Sequence, residues 1–142
     1  MKIAVVFPVP QNLVDRLFND KRNVFVKYLP HPTSTSLQPN DKIIFYASHA
    51  SRQVVGEGTV EKVEFLNVSE AVIGYGDKIF LSESELFEYT ALQPSRDPSK
   101  KMLVIVLTDI KKYKKPITYP RPLTMAGEYL TKSLYNKLMK RR

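Results

Sequence analysis

The stretch Lys42-Ile43-Ile44-Phe45-Tyr46-Ala47-Ser48-His49-Ala50-Ser51-Arg52-Gln53-Val54-Val55-Gly56-Glu57-Gly58 decides how this chain is read. It opens with apolar residues at consecutive positions. Both faces of such a strand must be covered, so a strand over 43–47 is expected at the centre of a sheet. The stretch then passes through hydroxyls, an imidazole and a guanidinium, returns to apolar residues and reaches Gly-Glu-Gly. A strand that ends in polar groups before turning on glycine is how a small β-barrel builds a polar mouth, and that mouth is the candidate site. The glycines are read as permitting a tight strand corner. They are not a dinucleotide fingerprint, because Glu61 stands where the third glycine belongs and no helix follows them.

Upstream, Ile3 to Val9 reads as a first strand, with Pro8 confining it to an edge or an end position. Pro10 suits the first turn of a helix, and Leu13, Val14, Leu17 and Phe18 make one apolar face. Residues 23–29 read as a second strand, followed by a loop through Pro30, His31 and Pro32. Downstream, Thr59 to Phe65 is a strand whose apolar parity slips between Val60 and Val63, which predicts a β-bulge. Gly74-Tyr75-Gly76-Asp77 reads as a turn. Ser82-Glu83-Ser84-Glu85 is a capping box that opens a short helix. Met102 to Leu107 is the strongest strand signal, and 111–122 is extended. Thr124 is expected to cap a last helix carrying Leu130, Leu134 and Leu138.

Strands dominate the middle of this order and do not alternate with helices. The expectation is therefore an α+β fold, a single domain over 1–142, built on a small, mostly antiparallel pseudo-β-barrel with peripheral helices. With 142 residues, 43% of them hydrophobic, the chain can bury a core without disulfide or metal staples. It has no cysteine, which excludes disulfides, thiolate zinc sites and thiol nucleophiles. No apolar run approaches the roughly 20 residues that span a bilayer, and Pro8, Pro10 and Asp15 interrupt any signal-peptide pattern. A cytoplasmic protein that does not engage membranes is expected.

The net charge of +8 is uneven. Residues 1–71 hold 8 basic and 7 acidic side chains, residues 72–142 hold 14 and 7, and Lys100 to Arg142 alone holds 12 and 2. Such a concentration makes a positive field that attracts phosphate polyanions; its plain alternative is a solvated, solubilising face. Lys111-Lys112-Tyr113-Lys114-Lys115, continuing through Tyr119 to Arg121, interleaves cations with aromatic rings, as single-strand binders do. Lysines that guard a sheet edge give the same pattern. Lys112, Lys114 and Arg121 are the candidate backbone contacts.

Around the mouth, Ser48, His49 and Ser51 offer hydrogen-bonding groups, or an ordinary polar loop. No acid is placed by spacing behind His49, so a nucleophilic triad is not indicated. The two histidines lack a metal-ligand spacing, and neither metal nor cofactor is expected. Arg52 suits a phosphate or base edge, or a surface pair with Glu57 or Glu61. Leu123 to Tyr129, expected at a helix start, offers free N–H groups to an anion.

Three stretches taken in order resemble a small archaeal family of uncharacterised PUA-like proteins related to EVE and ASCH domains. They are Phe25 to Leu29, Asp41 to Ser48 with Val54 to Gly58, and Leu123 to Leu130. The resemblance spans roughly residues 23–138. It implies a pseudo-barrel with a cleft at one end, in a group whose members bind RNA or modified nucleobases and include hydrolases of modified nucleosides. The ASCH signature Gly-x-Lys-x-x-Glu-x-Arg is not evident here. By the resemblance, Lys27, Tyr46, Ser48, Arg52, Thr124 and Met125 would line one pocket, with Tyr46 as its wall, Ser48 and Thr124 reading polar edges, and Lys27 and Arg52 meeting phosphate. The function expected is a non-catalytic module for RNA or a modified nucleobase. The alternatives are a small nucleoside hydrolase using Lys27, Ser48, His49 and Glu57, and a protein-interaction domain. The oligomeric state is left open.

Overall fold

The computed structural model describes residues 2–28, 36–48, 52–91, 100–124 and 126–141. Six strands form one sheet: β1 (Lys2–Val9), β2 (Val24–Lys27), β3 (Lys42–Ala47), β4 (Gln53–Leu66), β5 (Met102–Thr118) and β6 (Glu128–Thr131). Four helices accompany them: α1 (Gln11–Asn19), α2 (Val68–Tyr75), α3 (Glu83–Ala91) and α4 (Lys132–Met139). The strand order is β2-β5-β4-β3-β1-β6, antiparallel throughout except for β1 beside β3. β3 is central, as its two-sided apolar run requires. None of the helices among the described residues is long and apolar enough to cross a membrane.

The sheet is open, which corrects the expected barrel. β2 and β6 are its two ends, and no described pairing joins them. It is nevertheless strongly curved. β4 and β5 are 14 and 17 residues long, and their pairing shifts register at Val54/Gly56, Glu57/Thr59 and Val60/Lys62. Each bulge adds a local bend and twist. The result folds β2 back over β1, so Phe7 and Phe25 stack with centroids 5.8 Å apart although their strands stand at opposite parts of the order. The bulge expected after Val60 is the third of these shifts. No turn forms at Gly56-Glu57-Gly58: β4 runs on through it as one strand, bent by the register shifts on either side. Gly56 is needed for another reason: a Cβ there would lie 2.4 Å from the Phe18 ring and 2.6 Å from the Lys111 carbonyl.

Two apolar clusters lie on the two faces. The concave face packs Val5, Phe7, Phe25, Phe45, Leu103 and Ile105 against α1, α2 and α3. The opposite face packs Val6, Ile44, Tyr46, Val54, Ile117 and Tyr119 beneath Leu138 of α4. Pro8 is tolerated because β6 stops opposite Val6, leaving β1 with one neighbour at that point.

Two elements escaped the sequence reading. Asn67 and Glu70 form a reciprocal capping box that starts α2, in a region read only as strand and turn. The signal was present as Asn-x-x-Glu, with Asn as the cap. At the other end, Thr124 caps no helix. Glu128–Thr131 pairs with β1 instead, and α4 begins at Lys132, capped by the Thr131 hydroxyl. Pairing to β1 outweighed the four-residue leucine spacing, and Leu130 belongs to the strand. The box at Ser82 and Glu85 forms as expected.

Candidate functional site

β1 and β3 run parallel and finish together, and several loops converge on that end. The Ser48 N–H donates to the Val9 carbonyl at 3.1 Å, and the Arg52 N–H donates to the Ala47 carbonyl at 3.1 Å. Arg52 therefore closes the β3–β4 connection, with φ 56° and an exposed side chain. A non-glycine residue at such a φ is strained unless its surroundings impose it. Gln53 pairs with Thr118, which brings the end of β5 beside Arg52.

On the concave face, Lys27 ends β2 with only 5% of its surface exposed. Its amine lies 5.0 Å from the centroid of the Phe7 ring. The face of an aromatic ring attracts a cation, more strongly where water is excluded. Gly127, at φ 79°, lies against the same ring: a Cβ would come within 2.6 Å of both Phe7 Cδ1 and the Val6 carbonyl. Its N–H closes a turn on the Thr124 carbonyl at 2.9 Å, which holds Thr124 near the contact of Gly127 with Phe7 and Val6. Lys27, Phe7, Gly127 and Thr124 are thereby grouped, although they come from three distant segments.

On the α4 face, the Tyr46 and Tyr119 rings meet edge to face at 6.1 Å. The Tyr119 hydroxyl donates to Glu128, which Arg121 grips through Nε at 2.8 Å and through its terminal nitrogen at 2.6 Å. The Arg121 fork, the strongest cause, holds the Glu128 carboxyl below the usual carboxylate range. Burial, followed by the hydrogen bond to Glu128, pushes the Tyr119 phenol above its ordinary value.

The structure thus brings Lys27, Ser48, Arg52, Arg121 and Thr124 to one end of the molecule, but on two faces. Tyr46 cannot share a wall with Lys27, because the sheet lies between them: Phe45 and Phe7 face the concave cluster, while Tyr46 faces α4. Thr124 lies in a loop, so the anion site expected at a helix start there does not form. Lys112 pairs with Gly56, well back along β5, and Lys114 lies between that point and the Thr118 end. His49 and Met125 lie outside the described residues. The β5 edge from Thr108 to Thr118 has a strand neighbour on one side only among the described residues, and the exposed Lys112, Lys114 and Lys115 lie along it.

Glu57 was expected either to pair with Arg52 or to join Lys27 in acid–base work, and it is placed for neither. It is 2% exposed on the α4 face and accepts from the Tyr113 and Tyr135 hydroxyls, both at 2.8 Å. Lys42 and Lys111 stand 3.6 and 3.9 Å from its other oxygen. Lys42 in turn donates to the Thr59 hydroxyl at 2.7 Å. No local pattern announces this cluster, because its members come from β3, β4, β5 and α4.

Residues 2–132 match the model of the family DUF365, a domain of unknown function. An uncharacterized protein of Methanocaldococcus jannaschii, MJECS03, is 31% identical over 106 residues, covering 70% of this chain and 98% of its own. Among solved structures, the ASCH protein from Zymomonas mobilis superposes with a TM-score of 0.77 at 19% identity, over 97% of this chain and 94% of that one. A tyrosine-to-phenylalanine variant of it gives 0.78 at 18% identity, over 98% of each chain. A hypothetical protein from Leishmania major gives 0.55 at 11% identity, over 99% and 94%. The fold is accordingly ASCH-like.

Proposed function

We propose that this chain, which belongs to the DUF365 family, is a nucleic-acid-binding module that favours RNA and holds one base, ordinary or modified, at the common end of β1 and β3. One observation supports the reading: Lys27, Ser48, Arg52 and Thr124 come from separate segments toward that end, and the buried Lys27 amine lies over the Phe7 ring there. Lys27 supplies a cation, and the fully buried Phe7 ring beneath it fixes where that cation stands. Arg52 supplies a planar fork for phosphate. The lysines along β5 extend the positive field away from this end and recruit the rest of the strand. The ASCH-like fold of the solved neighbours agrees with such a role without fixing it. Kinship to EVE domains rests on the sequence resemblance alone.

The test is binding of short single-stranded RNA, followed by fluorescence anisotropy across a salt series. Each phosphate contact should contribute a slope of about −0.7 in log K against log salt. Lys27→Met and Arg52→Ala should each weaken binding while the melting temperature holds. Affinity that ignores salt, or that survives both substitutions, would remove the reading.

A second reading draws on the burial of Lys27. An amine kept from water can serve as a nucleophile or base, which suits a hydrolase of modified nucleosides. Glu57 and Tyr46 take no part in it, since they lie on the α4 face. Turnover of acylated nucleosides by the wild type, lost in Lys27→Met, would establish this reading in place of the first.

A further inference from the structure

A pocket lies on the α4 face, where the 119–121 segment meets α4. It encloses about 150 Å³ and is lined by Tyr119, Arg121, Leu134, Lys137, Leu138 and Arg141, among others. Its floor is apolar: Leu138 is 5% and Tyr119 7% exposed. Its rim is cationic. Leu134, on the wall, is 38% exposed and is one of the few large apolar side chains left in water among the described residues. A cavity of this size in an apolar setting takes up a single six-membered aromatic ring. Glu128 does not oppose an anion here as a free charge, since Arg121 and Tyr119 already hold it. Lys137 and Arg141 then remain as the rim cations with no carboxylate partner among the described residues. The Arg121 guanidinium is fixed by its two-point grip on Glu128 and lies over the Tyr119 ring at 5.6 Å, which leaves only its outer, half-exposed face for a further ring.

We propose that this pocket is a second nucleotide subsite, which takes one pyrimidine ring between Leu134 and Arg121 and binds its phosphate through Lys137 and Arg141. The proposal rests on the nucleic-acid reading above and names a further contact of the same strand. The pocket lies on the face opposite Lys27, and the link between the two is Gly127, which meets the Phe7 ring and the Val6 carbonyl one position before Glu128, the partner of Arg121. In this proposal the strand passes from Lys27 around the end of the sheet onto the α4 face. Both cations sit at the carbonyl end of α4, where the helix itself repels anions. Phosphate binding there depends on the two side chains alone. The floor carries no group that reads base edges, so selection is by ring size.

The experiment compares dodecamers of uridine and of adenosine by anisotropy from low to moderate salt. Wild type, the double variant Lys137→Glu with Arg141→Glu, and Leu134→Ser are measured side by side. Wild type should prefer oligouridine. The double variant should lose about 0.7 from its salt slope, the share of the one phosphate the two cations hold. Leu134→Ser should weaken oligouridine binding about tenfold, the lower range for losing one base contact, and leave the slope unchanged. All three side chains are solvent-exposed or at the rim, and circular dichroism checks that α4 persists. Wild type that binds neither oligomer overturns the nucleic-acid reading and the subsite together. Wild type that binds through Lys27 and Arg52, with affinity, slope and base preference indifferent to the α4 substitutions, overturns the subsite alone.

Discussion

The Tyr135 hydroxyl, on α4, donates to the Glu57 carboxylate at the centre of the sheet, across 78 positions of sequence and 2.8 Å of space. Tyr113 donates to the same oxygen from β5, and Lys42 approaches the other. One buried carboxylate thus ties the last helix to three strands. Removing it would strand two phenols and an amine. Glu57→Ala should cost about 3–5 kcal/mol, the range for breaking a buried ionic cluster from one side. Glu57→Gln, which keeps an acceptor, should cost clearly less, and Tyr135→Phe about 1.5 kcal/mol. Urea unfolding measures all three; equal losses for Ala and Gln would contradict the role assigned to the oxygens.

Glycine 127 should be intolerant and glycine 74 should not. Gly127→Ala places a Cβ against Phe7 and the Val6 carbonyl at a φ of 79°, and should cost at least about 2 kcal/mol and displace the ring beneath Lys27. Gly74 lies in α2 with nothing within 4 Å of a Cβ, and Gly74→Ala should stabilise by about 0.5 kcal/mol. Thermal unfolding of the pair gives the contrast within one protein.

Acid should loosen the contact between α1 and α3. Glu85 accepts a two-point grip from Arg16, at 2.5 and 2.9 Å, and the Ser82 N–H as well. Arg16 first, then the Ser82 N–H, hold its carboxyl down to about 2 from the ordinary 4.5. The folded state releases this proton more readily than the unfolded chain. The contribution is therefore complete above about pH 4.5 and disappears as pH falls from there toward 2. Because both side chains are partly exposed, its size should be about 1 kcal/mol. Glu85→Gln should lower stability by that amount at pH 7 and by little at pH 2, read from urea midpoints.

Arg52 separates stability from binding. Its φ of 56° suits glycine, so Arg52→Gly relieves local strain while adding freedom to the unfolded chain. The two effects should nearly cancel, leaving stability within about 0.5 kcal/mol of wild type. RNA affinity should nonetheless fall, as for Arg52→Ala. A variant that binds as well as wild type would show the guanidinium to be surface decoration.

Local chemistry was legible in the chain. The two-sided apolar run of β3 placed it centrally, the parity slip after Val60 marked a bulge, and Ser82 with Glu85 marked a helix start. The failures share a cause. Glu128–Thr131 is too short to announce a strand, and only β1 makes it one. Gly56 and Gly58 looked like a corner because glycine permits many conformations, and the neighbouring Phe18 ring and Lys111 carbonyl decide which need it serves.

The site divides in the same way. By itself the sequence supplied the candidates: a cationic second half, a strand ending in polar groups, no thiol chemistry, and Lys27, Ser48, Arg52 and Arg121 as proposed contacts. Tertiary structure alone decided who meets whom. It put Lys27 over Phe7, sent Tyr46 to the far face, and turned Glu57 from a presumed working acid into a buried anchor. The physical reason is that alternation along a strand fixes a side chain's face only relative to its neighbours, whereas the bulges that curve β4 and β5 determine which faces finally enclose a space.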